Sequence, residues 1–314
     1  MANFYGSYIG YGAGGAEAGW AFGGESYGYH YSSGDQGDNS VNRISFTSVG
    51  NSVDTGANLG TPRSQWVGVT GQVYGYCVAG YSVGGTNYDI IEKIPYASDG
   101  SMSDVGDLLR ITNKVSSSND AEYGYIHGGN GAVDDIERFQ MVATANSADV
   151  GDLALGSSAP GGNSDVSGGY GYVPGRNGHG TTPSATQKQI DRYQMVASSS
   201  GADVGDMFDG TGNHGGGSSA THGYQGGCGE TDTDNVIQKN NFAASVTSVD
   251  VGNLTVARFD CTGTSSTTYA YMSAGLWPDQ TTIDRFSFSS DGNATDVGEL
   301  SQNGRYTGCT GSQY

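Results

Sequence analysis

Along the chain, apolar and aromatic side chains return at every second position, and the three-to-four spacing of an amphipathic helix is absent. Ile44/Phe46, Ile94/Tyr96, Phe139/Met141, Tyr193/Met195 and Phe286/Phe288 alternate in this way with small or polar residues. A second set of segments alternates aromatic residues and ends in glycine: YGYHYSSG from Tyr27, YGYCVAG from Tyr74, YGYIHGG from Tyr123, YGYVPG from Tyr170, HGYQGG from His222 and YAYMSAG from Tyr269. Each reads as a strand running into a turn.

The strands belong to a repeat. The phrase IDRFSFSSDGNATDVGEL from Ile283 has five relatives, starting at Val41, Ile91, Ile136, Ile190 and Ile237. In all six, a polar residue at the second position (Asn42, Glu92, Glu137, Asp191, Gln238, Asp284) precedes an aspartate by 12 positions (Asp54, Asp104, Asp149, Asp203, Asp250, Asp296). The distance between phrases varies, at 50, 45, 54, 47 and 46 residues, so a rigid unit is joined by elastic loops. A repeat of this length holding about four short strands matches one blade of a β-propeller. The expected fold is all-β, a six-bladed propeller of four-stranded antiparallel blades over residues 25–314. A Gly/aromatic arm over residues 1–24 stands outside it.

The ring needs a closure. From the glycine of each Asp-x-Gly to the middle of the next aromatic triplet runs 18 to 20 residues, and counting 16 from Gly298 reaches Tyr314. RYTGCTGSQY is therefore expected to pair with the N-terminal YGYHYSSG, so that the N- and C-terminal strands share one blade and remove two open edges. The arm carries Phe4, Tyr5, Tyr8, Tyr11, Trp20 and Phe22 among glycines. It reads either as a strand or tail beside blade one or as an assembly arm that adds to a partner's sheet.

Composition narrows the partners. The 32 Asp+Glu against 13 Lys+Arg argue against nucleic acid, which is bound through clustered bases. No apolar run approaches the ~18 residues of a membrane helix, and the start MANFYGSYIGYGAGG lacks the basic and apolar regions of a secretory signal. Assembly in a host cytoplasm is the expectation. Cys77, Cys228, Cys261 and Cys309 have no C-x-x-C spacing and read as free thiols.

Glu92-Lys93, Glu137-Arg138, Asp191-Arg192 and Asp284-Arg285 put acid and base on opposite faces of one strand, and stacked blades would let the acid of one meet the base of the next. These are the expected inter-blade ion pairs. A catalytic carboxylate pair is disfavoured because an active site does not recur six times at equivalent positions. The Asp-Val-Gly at Asp54, Asp104, Asp149, Asp203, Asp250 and Asp296 (Asp-Thr-Gly in the first copy) is read as a hairpin turn, with the aspartate accepting local N–H bonds and glycine supplying positive φ. No metal is expected there; Glu230, Asp232 and Asp234 are a better cation candidate but lack the later ligands of an EF-hand loop. His30, His127, His179, His214 and His222 occupy different repeat positions, and no nucleophile elbow or phosphate loop is present, so no enzyme and no cofactor is expected.

The aromatic strand ending in Gly-Gly, followed by a variable loop and IERF or IDRF, resembles the Kelch-like repeat. SSDGNATDVGEL and DVGNLTVAR (Asp250 to Arg258) resemble Kelch-type repeats in structural proteins of marine tailed bacteriophages, including those infecting cyanobacteria. The likeness covers about Tyr27 to Tyr314, without the tryptophan typical of a Kelch fourth strand. It implies a virion structural or adhesion protein of tail, fibre or capsid appendage. Its partners would be other virion proteins and a host-surface glycan or protein, in an oligomeric assembly without membrane insertion. A non-viral glycan-binding module and a Kelch-fold enzyme are the rival readings. The loops after the second strands vary most, and Tyr81, Tyr88, Arg176, His179 and Trp277 are their candidate contact residues.

Overall fold

The computed structural model describes residues 26–31, 39–82, 84–176, 188–209, 212, 214–227, 235–243, 245–258, 260–275 and 281–301. Blade one holds β1 (Tyr27–Tyr31), β2 (Ser40–Ser45) and β3 (Val53–Asn58); blade two holds β4 (Val67–Thr70), β5 (Tyr74–Tyr81), β6 (Asn87–Pro95) and β7 (Ser103–Thr112). Blade three follows with β8 (Ser116–Asn119), β9 (Tyr123–His127), β10 (Val133–Gln140) and β11 (Ala148–Ser157), and blade four with β12 (Asn163–Asp165), β13 (Tyr170–Pro174), β14 (Gln189–Gln194) and β15 (Ala202–Asp206). Blade five contains β16 (Gly215–Ser218), β17 (His222–Gly226), β18 (Val236–Asn241), the short β19 (Val246–Thr247) and β20 (Val249–Asn253); blade six contains β21 (Thr262–Ser265), β22 (Tyr269–Ser273), β23 (Thr282–Ser287) and β24 (Thr295–Glu299).

Within each blade, successive strands pair antiparallel in sequence order, except that β18 pairs with β20 and the short β19 between them joins β15 of blade four in parallel. Blade one has three strands among the described residues, and the arm and the expected closing segment lie outside them. The closure between blades six and one is nevertheless visible: Gly50 N donates to Val297 O and Ser52 N to Glu299 O, both at 2.8 Å, while Phe46 stacks on Tyr271 with centroids 4.9 Å apart.

Period-two alternation fixes where the core sits. Because both faces of an inner blade are covered by neighbours, the buried residues form six clusters, one at each blade interface. Tyr125, Ile136 and Val150 of blade three, for example, pack with Val173, Tyr193 and Met195 of blade four, and Ile44 of blade one packs with Tyr271, Ile283 and Leu300 of blade six. Each such side chain contributes roughly 1.5–3 kcal/mol on burial, and the clusters hold blades to each other.

Near the ring axis the packing is polar and tight. At one position of the innermost strands, Gly162, Gly216 and Gly263 face the backbone carbonyls of Ser117, Gly162 and Gly216 in the preceding blade, with no room for a Cβ. At the same position of blade three, Ser117 Oγ donates to Gly68 O at 2.8 Å, and two residues further along the chain serine hydroxyls of the next blade accept backbone N–H bonds: Asn119 N donates to Ser164 Oγ at 2.9 Å, and Ser164 N to Ser218 Oγ and Ser218 N to Ser265 Oγ, both at 3.2 Å. This collar explains why the first strands are Gly/Ser/Thr-rich: a larger side chain would push neighbouring blades apart.

Candidate functional site

The Asp-x-Gly element is not the closure of a hairpin. The turn lies several residues earlier, and Asp104, for example, already pairs with Glu92 inside the sheet, with a register shift between Ile91 and Glu92 that leaves Val105 as the extra residue of a β-bulge. The aspartates Asp54, Asp104, Asp149, Asp203, Asp250 and Asp296 each accept the N–H of the glycine two residues on, at 2.8 to 3.1 Å. The bulge glycine serves the neighbouring blade. At Gly106, Gly151, Gly205, Gly252 and Gly298, φ lies between +145° and +158°, and a Cβ would strike a backbone carbonyl of the next blade's hairpin. That close approach lets the hairpin hydrogen-bond to the outer strand, as in Ser147 N to Asp107 O at 2.9 Å and Ser199 N to Val150 O at 2.7 Å.

The expected ion pairs are also corrected. Glu92, Glu137, Asp191 and Asp284 do not meet Lys93, Arg138, Arg192 or Arg285 of an adjacent blade. Glu92 binds Arg63 at 2.6 Å, with both side chains buried, and Arg63 also donates to the carbonyls of Thr61, Cys77 and Ala79. Asp284 binds the buried Arg258 at 3.0 Å. Asp191 binds Arg176 at 3.2 Å, and its carboxyl is raised by burial, opposed by the Gln189 hydrogen bond and the Arg176 charge. Glu137 takes Arg110, from the preceding blade, at 3.0 Å.

Several of these acids share one further task. Glu137 accepts Leu109 N at 2.8 Å and Asp284 accepts Thr255 N at 3.1 Å, both N–H groups belonging to the outer strand or exit loop of the preceding blade. Gln238 likewise accepts Asp209 N at 2.9 Å. Asn42 Oδ1 accepts the Ser301 hydroxyl. The position needs a carbonyl-type oxygen, which an amide supplies as well as a carboxylate does; this is why Asn42 and Gln238 stand in the series.

The bases lie on the opposite strand face and stack on the first tyrosine of the aromatic triplet: Arg43 on Tyr27, Lys93 on Tyr74, Arg138 on Tyr123, Arg192 on Tyr170 and Arg285 on Tyr269, all at 4.3 to 4.4 Å from the ring centroid. Two bases at this position reach the next blade's hairpin, Arg43 to Asp99 at 2.5 Å and Lys239 to Asp291 at 2.6 Å. The sequence carries the signal for these stacks: each base follows its triplet at fixed strand register, opposite the second tyrosine.

Among the candidate contact residues, Tyr81 and Tyr88 are half-buried on β5 and β6 at the base of the blade-two loop, not at its tip. Arg176 is 6% exposed and committed to Asp191 and Gly156 O, so it is a frame residue and not a loop contact. His179, Trp277, the arm residues and Glu230, Asp232 and Asp234 lie outside the described residues.

The described histidines do not converge. His127 is buried beside Ser118, whose Oγ lies 3.3 Å from its Nε2 and 2.5 Å from the Tyr193 hydroxyl. Burial lowers His127 to about 3 and His214 to about 4, so both stay neutral. All three members of the Ser118–His127–Tyr193 trio are buried, which leaves no face for a substrate. Asp134, Asp135 and Asp152 bring carboxylates within 4.8 Å of one another on blade three, and Arg110 already binds Asp135 at 2.8 Å. The thiol of Cys77 is pushed up to about 12 by burial, and that of Cys261 is raised by the same cause, which makes both unreactive. No described helix is long and apolar enough to cross a membrane.

Six antiparallel sheets packed face to face around an axis decide the architecture. The chain is a β-propeller. The solved structure of YjhT matches it with a TM-score of 0.62 over 79% of this chain and 87% of that one, at 12% identity. It is one of 378 matching chains, so the likeness carries the fold alone. No protein-family model and no curated protein matches the sequence.

Proposed function

We propose that the chain is a non-enzymatic virion protein of a tailed bacteriophage, made in the host cytoplasm and built into a tail, fibre or capsid appendage. The propeller serves there for assembly or host-surface attachment. One observation carries the scaffold part of this reading: the polar residues that recur in the repeat are spent on the frame, within blades and between them. The Asp-x-Gly bulges receive the next hairpin, the acid position binds buried arginines and preceding-blade backbone, and the bases lie on tyrosines. The connections after the second strands differ in length from blade to blade, from five residues between β5 and β6 to 14 between β13 and β14. A constant frame with variable loops on one face suits recognition of a surface. The viral assignment draws on the resemblance of the repeats to Kelch-type repeats of marine phage structural proteins, and the aromatic arm is the proposed contact to other virion proteins.

Antibody raised against the purified propeller should decorate intact native particles at a fixed appendage, and peptides of the chain should co-purify with particles through a density gradient. Their absence from washed particles would overturn the assignment.

A further inference from the structure

The hairpins that join first to second and third to fourth strands lie at one end of the ring, as Tyr96 N donating to Val73 O at 3.2 Å shows for blade two. At this end a binding arrangement for a carboxylate recurs, and the chain supplies the carboxylate in two joints. Between blades one and two, Arg43 lies on Tyr27 and holds Asp99 at 2.5 Å, while the Tyr29 hydroxyl donates to the other oxygen of Asp99 at 2.8 Å. Between blades five and six, Lys239 holds Asp291 at 2.6 Å. Asp99 and Asp291 occupy one place in hairpins of constant length, three residues after Tyr96 and Phe288. The other four hairpins carry Val49, Thr144, Ser198 and Ser245 there, all exposed and none acidic.

The bases that face those four hairpins are Arg285, Lys93, Arg138 and Arg192. Each is half-buried on its tyrosine, and none has a carboxylate within ion-pair distance among the described residues. Three of them, Lys93, Arg138 and Arg192, serve consecutive joints from blade two to blade five. The first of these joints carries a second sign. Tyr76 stands opposite Lys93 in its strand pair as Tyr29 stands opposite Arg43, it is 1% exposed, and its hydroxyl has no hydrogen-bond partner among the described residues. That joint therefore repeats the cation and the hydroxyl that grip Asp99, without the carboxylate. Acids of the neighbouring hairpin are engaged elsewhere: Asp120 accepts the N–H groups of Glu122 and Tyr123, both at 2.7 Å, and Glu122 accepts the Gln140 amide at 3.1 Å.

We infer that the hairpin end of blades two to five is a docking face for an acidic segment of a partner polypeptide, whose carboxylates take the place that Asp99 and Asp291 take in their own joints. A polypeptide fits for two reasons. The group that fills the arrangement elsewhere is an aspartate side chain carried on a loop. The same hairpins also expose Val73, Val142 and Val196, at 43%, 68% and 38%, and apolar side chains beside arginine are the make-up of a protein interface. Charge sharpens the choice of face. With a net charge of -19 the molecule as a whole repels an acidic partner, which is held only where bases without acids meet it. The inference is independent of the viral assignment.

The test measures binding of a fluorescein-labelled random copolymer of glutamate and alanine to the full chain by fluorescence anisotropy at low salt. Thr144→Asp combined with Ser198→Asp gives Lys93 and Arg138 carboxylates of the chain's own and leaves both stacks intact; it should weaken binding at least about tenfold, as should Lys93→Gln combined with Arg138→Gln. The same two charges added at the opposite end, at the exposed Thr86 and Asn130, should change it by less than about twofold, because salt screens charges that far away. Absence of binding to the parent, or equal losses from the two aspartate pairs, would overturn the inference. Tighter binding of polygalacturonate than of the peptide copolymer would overturn the polypeptide partner in favour of a glycan. Self-association on sizing chromatography that Thr144→Asp with Ser198→Asp abolishes would overturn it in favour of a second copy of this chain.

Discussion

Glu137 and Asp284 occupy the same repeat position, yet substitution of the carboxylate by its amide should cost far more stability at Asp284 than at Glu137. Glu137 accepts Leu109 N and the Ser147 hydroxyl, at 2.8 and 2.6 Å, and its arginine partner Arg110 is 26% exposed and already shared with Asp135. Glu137→Gln keeps an oxygen for both hydrogen bonds and gives up only a partly solvated ion pair, a loss of about 1 kcal/mol or less. Glu137→Ala strands the buried hydroxyl and removes two hydrogen bonds to a charged acceptor, each worth roughly 1.5–3 kcal/mol, for a total of about 3–5 kcal/mol. Asp284→Asn differs because Arg258 is fully buried. Removing the charge leaves an unpaired guanidinium in the ring, which costs about 3–5 kcal/mol. Urea unfolding followed by near-ultraviolet circular dichroism reads all three. The expected order of destabilisation is Glu137→Gln far below Glu137→Ala, with Asp284→Asn near the latter. If Glu137→Gln proved as damaging as Glu137→Ala, or Asp284→Asn as mild as Glu137→Gln, the division of labour between carbonyl oxygen and charge would be refuted.

Two further outcomes are expected. Gly151→Ala, which places a methyl group against the Ser199 carbonyl at φ +145°, should destabilise by about 3 kcal/mol or more. Gly56→Ala, at φ +78° with open space around it, should cost about 1–2 kcal/mol; equal losses in thermal melts would contradict the docking role of the bulge glycines. Burial raises Asp260 to about 7, against the favourable charge of Lys114, so the folded state holds a proton that the unfolded chain releases near pH 4. Its contribution to stability therefore falls as pH rises from about 4 to about 7. Asp260→Asn, which suits the left-handed φ of +53° there, should gain urea resistance over the parent at pH 8 and little at pH 4; an unchanged difference between the two pH values would exclude that titration.

The blade count, the strand order and the constancy of the repeat were legible because period-two burial and fixed-length hairpins leave their spacing in the sequence. The partners of the charged residues were not. Alternation places Glu92 and Lys93 on opposite faces, but it does not tell that a buried arginine 29 residues earlier, Arg63, folds back over the strand, or that the lysine finds a tyrosine two positions from its cross-strand neighbour. Arg176 looked like a loop residue because it follows Gly175; its long side chain turns inward to Asp191. Asp-x-Gly announced an Asx bond without saying whether the glycine turned a hairpin or received another blade, since both need positive φ. The collar around the axis left a trace only as small residues before each aromatic triplet, a composition equally suited to a plain linker.

The bulge has a bearing on solubility at high local concentration. A ring of blades presents six outermost strands to solvent, and an outermost strand with free N–H and C=O groups invites another polypeptide to add to it. Here each described outer strand is already engaged by the hairpin of the next blade: Asn58 O by Met102 N, Asp107 O by Ser147 N, Val150 O by Ser199 N, Asp206 O by Ser248 N, Asn253 O by Ala294 N and Val297 O by Gly50 N. The ring guards its own margins by letting every sheet lean on the next, and along β7 the lean continues past the bulge, where Glu137 and Ser147 hold Leu109 N against any foreign strand.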